Sequence, residues 1–167
     1  MFLWFLVVAP VIVAEVFRSP MVDYRVVALG AVLPLAEALL GGPSVFHTLL
    51  LPVVVLTVVM LATQRRRLVR RRLLGLPIGL LLHLVLDATW ADRTLLWWPA
   101  FGGSFGEGQV PEVDRALAVG LGLEVIAVAI GVWAARRYEL VDPRNRSRLV
   151  RSGQLDRHVL SRGAIEL

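Results

Sequence analysis

The sequence predicts an all-α, polytopic integral membrane protein with about five transmembrane helices, its N-terminus outside and its C-terminus inside. Three observations carry that expectation. Hydrophobic residues make up 57% of the 167-residue chain and the mean hydropathy is +0.70, more apolar surface than a water-soluble domain can hide. Five apolar runs follow one another, each near the length of about 20 residues that crosses the hydrocarbon core. All 18 basic residues are arginine, and most of them gather where one side of a membrane would hold them.

The first run, residues 2 to 17, lies in MFLWFLVVAPVIVAEVF. It has no basic stretch before it and no small-x-small cleavage site ahead of Arg18, so it reads as a retained span and not a leader. The second, 26 to 40, is short and contains Pro34, which predicts a tilt, a kink or partial insertion. The third and fourth cover 47 to 63 and 73 to 90, and the fifth covers 116 to 135.

Arginine sets the orientation. The connection QRRRLVRRR holds six and the chain from Arg136 onward holds eight, which places both in the cytoplasm. Two spans separate them, the parity this requires. Counting back, Arg18 and Arg25 are also inside, and only Arg93 and Arg115 fall outside. Residues 1 to 140 thus form the membrane domain with an outer loop at 91 to 115. That loop carries Asp92, Glu107, Glu112 and Asp114 beside Trp97 and Trp98, which suit an interfacial belt. Residues 141 to 167 form an Arg-rich cytoplasmic tail without a sustained apolar face, solvated and drawn to anionic head groups, with His158 exposed in it. Nucleic acid is not expected as a partner. The localisation expected is a bacterial-type plasma membrane, crossed several times.

Ionisable residues inside spans cost free energy, about 2.5 to 3.5 kcal/mol for a central Asp on insertion scales, so they mark sites. Under this topology Glu37, His47, His83, Asp87 and Glu124 come from four helices and fall in one outer half of the membrane. His83 and Asp87 stack on one helical face at i and i+4. Imidazole and carboxylate together suit zinc, manganese or iron, and a divalent ion offsets the burial of several carboxylates. With no cysteine in the chain, thiolate sites and disulfides are excluded. Glu37, His47, His83 and Asp87 are the candidate ligands of a divalent metal, zinc or manganese. Glu37 and Glu124 are the candidate general bases, since burial raises a carboxyl pKa toward the useful range. Glu15 and Asp23, toward the inner side, fit snorkelling or capping.

The segments GAVLPLAE, FHTLLL, HLVLDATW and LLWWPAFG, in that order, resemble the YdjM-type family of predicted membrane-bound metal-dependent hydrolases. Gly30, Leu33, Pro34 and Glu37 match its first motif, His47 and Thr48 its second, His83, Asp87 and Thr89 its third, and Trp98 and Pro99 its Trp-Pro turn. The similarity covers about residues 26 to 101. Leu35 stands where the family has an aspartate and Gly42 where it has a histidine. The resemblance then implies one metal where relatives hold two, with Glu124 or a loop carboxylate filling in, or a chain that has lost catalysis. It implies a hydrolase, and head-group phosphates lie at the depth of the site. The expected activity is cleavage of a phosphoester in a lipid or polyprenyl-linked substrate at the outer leaflet. The alternatives are a non-catalytic membrane scaffold or partner subunit, in which polar residues hold helices together, and a small transporter that relays protons.

Overall fold

The computed structural model describes residues 1–39, 45–102 and 116–161. Among them the chain is all-helical, with no strand. Gly42, Glu107, Glu112, Asp114 and Arg115 lie outside the described residues.

Helix α1 (Phe2–Phe17) carries Pro10 inside it and ends at Arg18, whose left-handed φ of 45° lets its N–H close on Ala14 O. Asp23 caps α2 (Tyr24–Val32) by accepting from Arg25 N. Pro34 has no N–H to offer the Gly30 carbonyl, and the chain tightens there into a 3-10 helix over Leu33–Leu39. A second 3-10 turn, Val45–His47, leads into α3 (Leu50–Ala62).

Next come α4 (Arg67–Leu73) and α5 (Gly75–Leu86). Leu74 between them keeps helical φ and ψ of −60° and −21°, so only one residue separates the two helices. Helix α5 stops because Ala88 takes a left-handed φ of 58°. The 3-10 turn Thr89–Ala91 and α6 (Arg93–Leu96) follow, then α7 (Leu117–Arg137), α8 (Pro143–Ser152) and α9 (Arg157–Ser161).

Among the described residues α2 and α5 share the most extensive helix–helix interface. Glycines make it close. A Cβ added to Gly79 would overlap Val27 O and lie 2.8 Å from Ala31 N, and one added to Gly30 would overlap Leu76 O. Gly75 and Gly79 form a G-x-x-x-G pair, the spacing that lets membrane helices approach backbone to backbone. Helix α1 packs against α2, α5 and α7, burying Phe5 and Ala9 against Ala31 and placing Val13 and Ala14 in a second cluster with Val27 and Ala134.

Of the five runs expected to span, only α7 is long and apolar enough to do so as one helix, at 21 residues with a hydropathy of 2.2. The others give helices of 16, 9, 13 and 12 residues: the first run is itself only 16 residues long, and Pro34, the His47 turn and the bend at Ala88 shorten the rest. The outward faces are nonetheless apolar. On α7 only Ala127 and Ala134 are buried, while Leu61 on α3 and Val125 on α7 are 62% and 70% exposed.

The segment after residue 140 departs from the solvated tail that its composition suggests. Leu155, Val159 and Leu160 are buried in the same cluster as Val13, Tyr24 and Tyr138. Tyr24 N donates to Gly153 O at 2.7 Å, and Arg25 clamps Asp23 while donating to Val150 O and Arg151 O. Gly153 takes a φ of 70°, and a Cβ there would overlap the Asp23 carboxylate. Three apolar residues at uneven spacing gave no helical period, yet they suffice to dock the segment. His158 is exposed.

Candidate metal centre

Three groups from two neighbouring elements converge. His47 closes the 3-10 turn before α3, His83 lies in the last turn of α5, and Asp87 caps that helix. His47 and His83 are 0% exposed and Asp87 1%. One ligand atom from each lies within 4.8 Å of the other two. The imidazoles meet edge to face, centroids 5.3 Å apart and planes at 75°.

Hydrogen bonds orient both rings. His83 Nδ1 lies 2.7 Å from Ala31 O, a carbonyl that can only accept, so Nδ1 carries the proton and the neutral ring keeps its lone pair on Nε2. His47 Nδ1 lies 2.6 Å from Glu37 Oε2, which selects the same tautomer. Phe5 stacks on His83 with centroids 4.1 Å apart, fixing the plane of the ring from α1. Thr89 Oγ1 donates to Asp87 Oδ2 at 3.2 Å.

Glu37 therefore stands behind His47 and not among the three convergent atoms. Its second oxygen accepts from Phe46 N at 2.7 Å, so the carboxylate spans the turn that presents His47. Glu124 is elsewhere. It accepts from Leu3 N at 3.1 Å and faces Met1 N at 3.4 Å, at the N-terminal end of α1, where a carboxylate complements the helix dipole. Among the described residues the trio is joined by no further acid or histidine.

The donor set fits a divalent ion. Bonds of about 2.0 to 2.2 Å require only a small inward movement of atoms already this close, and two imidazoles with one carboxylate suit zinc, manganese or iron. An imidazole whose other nitrogen donates to a carboxylate or a backbone carbonyl is the usual supported state of a ligating histidine.

The chain after Asp87 closes over this end. Leu49 N donates to Leu96 O at 2.9 Å, tying the His47 turn to α6. Asp92 caps α6 through Thr94 and Leu95, and the Thr94 hydroxyl bond, aided by the Leu95 amide, holds its carboxyl below the usual carboxylate range.

Sequence reasoning had no means of finding Phe5 or the Ala31 carbonyl, which lie on other helices with no motif of their own. Gly75-x-x-x-Gly79 was the available signal that α5 meets a partner closely enough for a backbone carbonyl to reach His83. No protein-family model, curated protein or solved structure matches the chain.

Proposed function

We propose that the chain is a multi-pass membrane protein that holds one divalent ion, zinc or manganese, on His47, His83 and Asp87. With it the chain hydrolyses a phosphoester of a lipid or polyprenyl-linked substrate at the outer leaflet. One observation carries the metal: a ligand atom from each of His47, His83 and Asp87 lies within 4.8 Å of the other two, while Nδ1 of each imidazole already faces an acceptor, so Nε2 is the nitrogen that would ligate. When bound, such an ion supplies Lewis acidity toward a phosphoryl oxygen and toward water.

The chain's own groups do the rest. Glu37 holds the His47 proton at Nδ1 and raises the basicity of Nε2. Thr89 orients Asp87, and Phe5 walls the site against water. Glu124 is engaged at the end of α1, so Glu37 is the carboxylate that remains near the site, where it supports His47 from behind.

Membrane crossing is supported by α7 and by the exposed apolar faces of α3 and α7. Along α5 His83 and Asp87 lie about 12 and 18 Å beyond Gly75, at about 1.5 Å per residue, at the end away from the arginines of α4. The five-span topology with the N-terminus outside accommodates this, as does the resemblance to the YdjM-type hydrolases.

Complete burial of the trio favours one second reading, a structural ion that fastens α5 to the His47 turn in a non-catalytic membrane subunit. Release of phosphate from lipid phosphates, diphosphates and phosphodiesters by the reconstituted protein separates the two. A hydrolase loses activity to chelator and regains it with zinc or manganese. A metal-loaded protein that cleaves none of these, and unfolds at lower temperature when stripped, is the structural case.

A further inference from the structure

We infer that the end of the bundle opposite the histidines is a binding surface for anionic phospholipid, built from two arginine helices that converge on Asp23. The inference rests on the membrane reading above and not on the metal. Gly75, which follows α4, approaches so closely that a Cβ there would lie 3.1 Å from Asp23 O. Gly153, which follows α8, accepts from Tyr24 N. The C-terminal ends of both helices thus meet one turn, and their arginines share one end of the molecule.

Their disposition separates structural arginines from available ones. Arg25 is held by Asp23, Arg137 faces Glu15 and donates to Val159 O, and Arg148 pairs with Asp156. Among the described residues no carboxylate lies within ion-pair distance of the six arginines of residues 65 to 72, nor of Arg144, Arg146 and Arg151. All are exposed except Arg70, which is half-buried. On α8, Arg144, Arg148 and Arg151 fall at i, i+4 and i+7 on one face, while Leu149 packs toward the core cluster. The arginine face is therefore turned outward.

The occupant follows from what lies between the charges. Leu68 and Val150 are 68% and 65% exposed beside these arginines, and the apolar outer faces of α3 and α7 run up to the same end. Guanidinium groups above apolar side chains match phosphate head groups above acyl chains. RNA would match the charge and leave the apolar side chains without a partner.

The test uses the full chain reconstituted in phosphatidylcholine vesicles, first checked by flotation, with spin-labelled phosphatidylglycerol or phosphatidylcholine as the probe. Phosphatidylglycerol should associate with the protein about fivefold or more in preference, since one arginine near the surface is worth about that factor. The preference should fall toward parity in 1 M salt, where the screening length is about 3 Å. It should also fall in R144Q/R146Q/R151Q and in R67Q/R71Q/R72Q, each with an unchanged circular dichroism spectrum. Equal association of the two lipids with a floating chain overturns the inference, as does a preference that survives both triple variants. Displacement of phosphatidylglycerol by an RNA oligonucleotide would assign the surface to nucleic acid. A chain that does not float removes the membrane reading along with it.

Discussion

His47 Nδ1 lies 2.6 Å from Glu37 Oε2, and both side chains are fully buried. Glu37 also accepts from Phe46 N, so one carboxylate serves two donors. Glutamine at this position has a single acceptor oxygen and cannot serve both. Glu37→Gln should therefore weaken metal affinity by about 10- to 100-fold, as removal of a partner behind a ligating histidine does, while leaving a measurable site. Competition with a zinc chelator in detergent reads this directly. Unchanged affinity would show that Glu37 does not support His47 as a ligand.

Gly79 should not accept a side chain. Its Cβ would overlap Val27 O and press on Ala31 N, forcing α2 from α5 and lengthening the bond between Ala31 O and His83 Nδ1. Gly79→Ala should lower stability by about 1 to 3 kcal/mol and weaken metal binding together, because one interface controls both. Thermal unfolding in detergent checks the first and chelator competition the second. An alanine variant with both unchanged would contradict the closeness of α2 and α5.

Asp92, which is exposed, and Asp156, which is half-buried, give the fold acid sensitivity. Asp92 is held low by the Thr94 hydroxyl and Asp156 by the His158 amide, with Arg148 adding to the second. A carboxyl whose folded pKa lies below its unfolded value stabilises above the unfolded value and loses that contribution as pH falls through the folded one. The loss therefore falls below about pH 4. Protection from amide exchange, taken relative to the intrinsic rate at each pH, should fall there at Leu49, which bonds Leu96, and at Tyr24, which bonds Gly153, and stay level between pH 5 and 8. Loss of protection in Asp92→Asn at Leu49 alone would separate the two effects, and no loss in acid at either place would contradict both caps.

Leu68, in the middle of the arginine run, is 68% exposed. With the arginines on the cytoplasmic side, Leu68→Cys should resist a membrane-impermeant maleimide in intact cells and react once the membrane is opened. Labelling in intact cells would invert the topology and move the histidine site to the inner leaflet.

The helical class was legible because apolar runs and arginine clusters are local properties of the chain. So were His47, His83 and Asp87, whose residue types have no place in an apolar run unless something holds them. Span length was less legible, since hydropathy does not register where Pro34 or Ala88 interrupts a helix. The pairings of the two glutamates were not legible at all. Depth along a span put Glu37 and Glu124 beside the histidines, but depth has no angular component. One turns out to hold the back of His47 and the other the end of α1. The docking of Leu155, Val159 and Leu160 escaped for a related reason, because it depends on the Asp23–Arg25 latch, contributed by a helix more than a hundred residues earlier.

Metal content is the most direct measurement. Protein purified from cells grown with zinc and manganese should carry close to one ion per chain, retained through detergent exchange, as two buried imidazoles and a carboxylate would hold it. His83→Ala and Asp87→Asn, folded by circular dichroism, should lose it, while Glu124→Gln should keep it. A folded wild-type chain without metal under those conditions, or a His83→Ala chain with full occupancy, would contradict the site.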